Sequence, residues 1–161
     1  MRIVTGLLHV GKTTLLEQSG KMFARWDDWF PVYLQSQSGI ERISHIVPSE
    51  YLEHPGLVRK LLAVSPDMMQ SVCNVVADTF REFASFTDFV EVPIYALSSI
   101  KRDGDIVIAV DSPGQETLIE RCMTIHKCNR DRATKMVANQ SHELSFDCRV
   151  NDVQDLLALC D

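Results

Sequence analysis

The run Gly6-Leu7-Leu8-His9-Val10-Gly11-Lys12-Thr13 restricts this chain more than any other stretch. It fits the pattern G-x-x-x-x-G-K-[ST]. The apolar Ile3-Val4 before it and Thr14-Leu15-Leu16-Glu17 after it supply the strand and helix that the pattern requires. The spacing has a chemical reason. Glycines let the backbone wrap closely, so that amide N–H groups turn inward on the β-phosphate of a nucleoside triphosphate. The helix N-terminus adds partial positive charge. Lys12 then reaches the β- and γ-phosphates, and the Thr13 hydroxyl takes one position on Mg²⁺. The expected cradle is Gly6, His9, Val10, Gly11, Lys12, Thr13 and Thr14, with ATP and Mg²⁺ as its ligands. The competing reading is a chance match in a glycine-containing turn, which the flanking strand and helix argue against.

A chain of 161 residues is the size of one domain, and 45% hydrophobic with 24% charged residues is an ordinary globular composition. A net charge of −6 provides no global basic field to hold nucleic acid. No apolar run approaches the roughly 18 residues that suggest a membrane span. The phosphate loop begins too early for a signal peptide to precede it. A cytoplasmic protein with no membrane or nucleic-acid partner is therefore expected, as a monomer or small homo-oligomer. The five cysteines are odd in number and show no Cys-x-x-Cys pair, which argues against a disulfide framework and against a zinc site. The five histidines form no His-x-x-x-His pair, and none is assigned to a metal.

Along the chain, residues 2–5 read as the first strand and 12–23 as the first helix, weakened at its end by Gly20. Trp26, Trp29 and Phe30 are either a base-stacking surface or, as the burial preference of aromatics favours, part of the core. Pro31-Val32-Tyr33-Leu34 reads as a second strand. Gln35 to Gly39 is a loop signal, Pro48-Ser49-Glu50 a helix start, and Leu57 to Ala63 a short periodic stretch. Ser65-Pro66-Asp67 opens a helix, with a serine cap, proline first and acid in the first turn. Met69, Val72, Cys73, Val76, Phe80 and Phe83 recur on one face and read as core. Phe89 to Pro93 is a third strand, Arg102-Asp103-Gly104 a turn. The β-branched run Asp105 to Asp111 is a strand covered on both faces of a parallel sheet. Ser112 to Glu116 opens the segment 115–140, which reads as two helices broken near Lys127-Cys128-Asn129, with Asn129 capping the second. Leu144 to Asp147 is a last short strand. Asn151, with Gln154 three on, caps a terminal helix. Strands alternating with helices predict an α/β doubly wound sheet.

The second half resembles dephospho-coenzyme A kinase. The resemblance lies in Phe89-Val90-Glu91-Val92-Pro93-Ile94, in Asp105 to Asp111, in the glutamine-and-arginine helix from Gln115 to Arg121, and in Ala138-Asn139-Gln140. It covers residues 85–140 and gains the phosphate loop. Nucleoside monophosphate kinases belong to the same broad group. The resemblance implies a three-layer P-loop NTPase fold with a mostly parallel five-stranded sheet, helices on both faces and a helical lid. One domain, 1–161, would hold an acceptor-binding helical region at 35–85 and lid-like helices at 115–140. The implied activity is phosphoryl transfer from Mg-ATP to a small acceptor, dephospho-coenzyme A or a nucleoside monophosphate. The departures are Ser36 where the family has an acceptor-binding aspartate after its second strand, Leu97 for an acid, and Ile125 and Met136 for lid arginines. Asp27 and Asp28 precede the expected strand and so are poor replacements.

Lys12, Arg121 and Glu91 are the expected catalytic residues. Glu91 ends a strand beside the loop, where α/β sheets bind ligands, and would hold Mg²⁺ through water or orient the acceptor. Arg121, with Lys127, Arg130, Arg132 and Lys135, would close over the triphosphate; the alternative is a solvated helix face. Asp111 either lines the adenine side or, as favoured here, caps the next helix. Two further function classes stand beside the kinase. One is a nucleotide-binding protein without transferase activity, for which Ser36, Ile125 and Met136 speak. The other is a switch ATPase or GTPase, whose base-selective Asn-Lys-x-Asp signature the sequence lacks.

Overall fold

The computed structural model describes residues 1–7, 9–138 and 145–161. Leu8, Asn139, Gln140, His142 and Leu144 of the sequence reading lie outside them. The sheet is five-stranded, in the order β2-β3-β1-β4-β5, and every pairing is parallel. Its strands are β1 (Arg2–Thr5), β2 (Phe23–Arg25), β3 (Phe89–Glu91), β4 (Ile106–Val110) and β5 (Cys148–Val150). The connection after β1 runs outward to β2, while the connection after β3 crosses to β4 on the other side of β1. The chain's direction across the sheet reverses at β1, and such a reversal opens a crevice at the carboxyl ends of the strands.

Side chains that alternate along the strands face two helical layers. Ile3 and Val90 join a large core with α2 (Trp26–Gln35), α3 (Gln37–Ile43), α5 (Pro55–Val64), α6 (Pro66–Phe83) and α7 (Ile94–Ile100). Val4, Phe89, Ile108 and Val150 pack on the opposite face against α1 (Lys12–Ser19) and α10 (Val153–Ala158). A third cluster seats Val10, just before α1, against α8 (Gln115–His126) and α9 (Arg130–Ala138). The short α4 (Ser49–Leu52) precedes α5. The expected α/β class, the parallel five-stranded sheet, the interior position of the 105–111 strand and helices on both faces all match.

The main correction falls on residues 26–43. Pro31 to Leu34 form no strand; they lie inside α2, and the second strand is β2. Pro31, Val32 and Tyr33 carry strand-like or helix-breaking propensity. Tertiary packing overrides it, because Trp26, Phe30 and Leu34 recur four apart and are buried. Pro31 removes one helical hydrogen bond to the Asp27 carbonyl, which a short helix with a buried stripe tolerates. The expected loop at 35–39 is instead a tight junction between α2 and α3. The Ser36 hydroxyl accepts from the Gly39 amide at 3.0 Å and donates to the Tyr33 carbonyl at 2.6 Å. A Cβ on Gly39 would sit 1.8 Å from the Tyr33 oxygen, so only glycine lets these helices meet.

Smaller corrections have local causes. The first helix stops at Ser19 because Gly20 takes a left-handed φ of 65°. The final strand is Cys148–Val150, and Asp147 instead accepts from the Val107 amide at 2.7 Å. Asp152, not Asn151, caps α10, accepting from the amides of Gln154 and Asp155. Ser65 occupies the cap position of α6 without a side-chain bond there. Phe83 leaves the core stripe and is 58% exposed. Asn129 caps α9 as expected, accepting from the Arg132 amide at 2.9 Å. No described helix is long and apolar enough to cross a membrane.

Candidate functional site

The turn between β1 and α1 lies at the carboxyl end of the central strand. Three of its residues take positive φ: Gly6 at 149°, His9 at 63° and Gly11 at 100°. Gly11 starts α1 and makes no side-chain cap hydrogen bond to its first amides. A Cβ on Gly6 would meet the Val10 side chain at 3.3 Å and the Val110 carbonyl at 3.4 Å, so the turn folds tightly over the end of β4.

Lys12 bends back across this turn. Its ammonium donates to the carbonyls of Leu7 at 2.8 Å and Gly6 at 3.3 Å. Burial lowers its pKa, and the nearby Glu91 and Asp27 charges only partly offset that. The Thr13 hydroxyl donates to both carboxylate oxygens of Glu91, at 3.0 and 3.1 Å. Arg25 Nε donates to the same carboxylate at 2.9 Å, and its Nη1 reaches Asp28 at 3.2 Å. Arg121 of α8 donates from Nη1 to the His9 carbonyl at 2.8 Å.

These groups share one cavity of ≈ 520 Å³. Of the residues expected from the sequence, His9, Val10, Gly11, Lys12, Thr13, Thr14, Glu91 and Arg121 all line it; Gly6 shapes the turn behind them. The other basic residues of 115–140 do not line it. Arg130 instead pairs with Glu116. Ile125 lines the cavity, whereas Met136 packs against the Val10 cluster. Asp111 caps no helix. It pairs with Arg149 at 3.5 Å, and Gly114 occupies the cap of α8.

Asp27, Arg25 and Gln18 also line the cavity, and sequence reasoning assigned none of them a role. Asp27 is the second residue after β2, the position first given to Ser36. Ser36 is spent on capping. Asp27 is an exposed residue that lines the cavity. Desolvation, and after it the charge of Glu91, raise its pKa above the ordinary value. The available signal was the pair Asp27-Asp28, since acids concentrate in the first turn of a helix. Read that way, they place a helix start at 26 and leave Phe23–Arg25 as the strand.

A second cavity of ≈ 680 Å³ adjoins the first, and Thr13 and Arg25 line both. Phe23, Trp29, Tyr33 and Phe83 give it an aromatic wall, and the polar Glu17, Asp28, Ser36 and Thr87 line it as well. Trp29 and Tyr33 stack with ring centroids 4.6 Å apart. The core reading favoured for the aromatics holds, with Trp29 packing partly buried against the same cluster. Trp26 and Phe30 are core, and Trp29 lines a groove.

The sheet and its flanking helices define an α/β protein of all-parallel, three-layer type. No family model matches the sequence, and no curated protein does. Among solved structures, the chain is similar to an uncharacterized protein from Eubacterium ventriosum ATCC 27560. The two share 14% identity and a TM-score of 0.47, over 98% of this chain and 93% of that one.

Proposed function

We infer that this chain is a P-loop NTPase-type small-molecule kinase, which transfers the γ-phosphoryl of a Mg-nucleoside triphosphate, ATP in the first instance, to a small acceptor. One observation carries the reading: Lys12, the hydroxyl–carboxylate pair of Thr13 and Glu91, and the uncapped start of α1 converge on a single cavity at the reversal point of the sheet. The oxygen donors of Thr13 and Glu91 suit a hard cation such as Mg²⁺. Bound there, Mg²⁺ would neutralise charge on the β- and γ-oxygens.

The protein's own groups divide the remaining work. Lys12 leaves its two carbonyls for the phosphates. The loop amides hold the β-phosphate, and Arg121, already bonded to the loop, extends positive charge toward the γ-oxygens. Asp27 stands where an acceptor hydroxyl would approach and takes its proton, favoured by its raised pKa. The aromatic groove that meets the phosphate cavity at Thr13 and Arg25 would seat the acceptor's body. The resemblance names dephospho-coenzyme A first and a nucleoside monophosphate second. The test is ADP release measured across a panel of such acceptors. Acceptor-dependent turnover that vanishes in Lys12→Ala is expected.

A second reading, nucleotide binding without transfer, is favoured by Ile125, an apolar residue on the cavity wall where the family has a lid arginine. ATP binding with no phosphoryl transfer to any acceptor would select it.

A further inference from the structure

The ring of His9 has a contact that nucleotide chemistry leaves unused. Its Nε2 lies 2.9 Å from Nε2 of His126, and the two rings meet edge to face with centroids 5.1 Å apart. Cys122 stands one helical turn before His126 on the same face of α8. The two imidazole nitrogens and the Cys122 sulfur all lie within 4.8 Å of one another. Zinc bonds of about 2.0–2.1 Å to nitrogen and about 2.3 Å to sulfur, in tetrahedral array, need donor separations of roughly 3.3–3.8 Å. The two nitrogens, at 2.9 Å, stand closer than that range, and no donor pair is farther apart than 4.8 Å, so the side chains must rotate apart to admit the metal.

We propose that His9, Cys122 and His126 form a three-ligand site for a divalent transition metal of the zinc class, which clasps the 6–11 turn to α8. Two imidazoles and a thiolate are the donor set on which the nitrogen and sulfur preferences of zinc overlap. Among the described residues the group has three members, which leaves the fourth position for water or an exogenous anion. His126 ends α8, where the helix dipole favours a cation. Lys12 and Arg121 oppose a cation, and the Cys122 thiolate offsets one charge. Sequence spacing concealed the site. His9 lies 117 residues from His126, and only the Cys-x-x-x-His step within α8 is local. The site does not depend on the kinase reading; it stands or falls whether or not the turn holds a nucleotide.

The test is a Co²⁺ titration of the reduced, metal-free full chain, followed by its thiolate-to-cobalt charge-transfer band and tetrahedral visible bands, with Zn²⁺ as displacing ion. One equivalent is expected to bind with both signatures and to be displaced by Zn²⁺. His126 is exposed, so His126→Ala will fold; it should weaken binding at least tenfold, as should His9→Ala. Cys122→Ala should abolish the charge-transfer band, and Cys128→Ala should keep it. Zn²⁺ should raise the melting temperature of the wild type and not of His126→Ala. The proposal is overturned if no charge-transfer band develops. It is equally overturned if His126→Ala binds as tightly as the wild type, or if the band follows Cys128 instead of Cys122.

Discussion

Two nearly buried carboxylates, each held by an arginine, sit at opposite ends of the same sheet. Asp105 precedes β4 and is 3% exposed; Glu91 ends β3 and is 7% exposed. Asp105 accepts from Arg81 at 2.5 and 3.3 Å, from the Met1 ammonium at 2.9 Å and from the Arg102 amide at 2.8 Å. Every one of these donors belongs to the fold's own framework. Glu91 accepts from Arg25 and from a threonine hydroxyl, and it faces a cavity that also holds Lys12 and Asp27. One arrangement is closed, the other has an exchangeable partner. The nearby charges carry opposite signs of effect. At Asp105, burial would raise the pKa, but hydrogen bonds from Arg81 and the terminal ammonium outweigh it and hold the carboxyl at about 2. At Lys12, burial outweighs the attraction of Glu91, and the pKa falls. Charge stabilises the fold at one end and costs stability at the other, as expected where a site is shaped for a ligand.

The largest expected effect tests that asymmetry directly. Lys12→Met keeps the apolar stem and removes the charge. Phosphoryl transfer should fall by about 10³-fold, about 4 kcal/mol of transition-state stabilisation. The melting temperature should stay level or rise, because a desolvated ammonium is gone. Calorimetry beside a coupled ADP assay reads both; a melting point lowered in step with activity would refute the contrast. The mirror experiment is Arg81→Met. It leaves Asp105 without its guanidinium, at a cost of about 3 kcal/mol. That corresponds to a fall of about 6–12 °C in melting temperature. Nucleotide affinity of the folded fraction, measured by titration calorimetry at low temperature, should not change.

Asp27→Asn comes next. If Asp27 takes the acceptor's proton, kcat should drop about 10²-fold while the KM for the nucleotide holds. The pH profile supplies the sign. A base works only when deprotonated, and burial with Glu91 has raised this carboxyl. Activity should therefore fall on acidification through a pKa above the ordinary aspartate value, and that acid limb should be missing in the variant. A limb that survives Asp27→Asn belongs to another group.

Asp27 also marks where the sequence stops being legible. The 6–13 turn could be read because its constraints are local: glycines at fixed offsets, a strand on one side and a helix on the other. The 106–110 strand could be read because continuous β-branched burial has few other meanings. Residues 26–43 could not, since Pro31 and Val32 point away from a helix that only the burial of Trp26, Phe30 and Leu34 sustains. Misplacing that one strand put the acid expected after it at position 36, and Asp27, which lines the cavity, was passed over. The His9–His126 contact was beyond reach for a different reason. It joins two distant parts of the chain, and no periodicity records such a pair.

The smallest of these effects isolates Asp105 without altering a residue. Its folded pKa is about 2, and the unfolded value is about 3.9. A lowered carboxylate pKa stabilises the fold fully above the unfolded value and loses that contribution as pH falls through the folded one. Between about pH 4 and pH 2, unfolding free energy should therefore drop by about 2 kcal/mol on this group's account. Denaturant unfolding at steps across that window measures it. In Arg81→Met the slope should flatten, since the carboxyl returns toward its ordinary value and titrates alike in both states. Glu91 provides the contrast: Glu91→Gln should weaken Mg-nucleotide binding, which Arg81→Met should leave unchanged. If Arg81→Met weakens that binding as much as Glu91→Gln does, the two ends of the sheet are not the separate devices their partners make them.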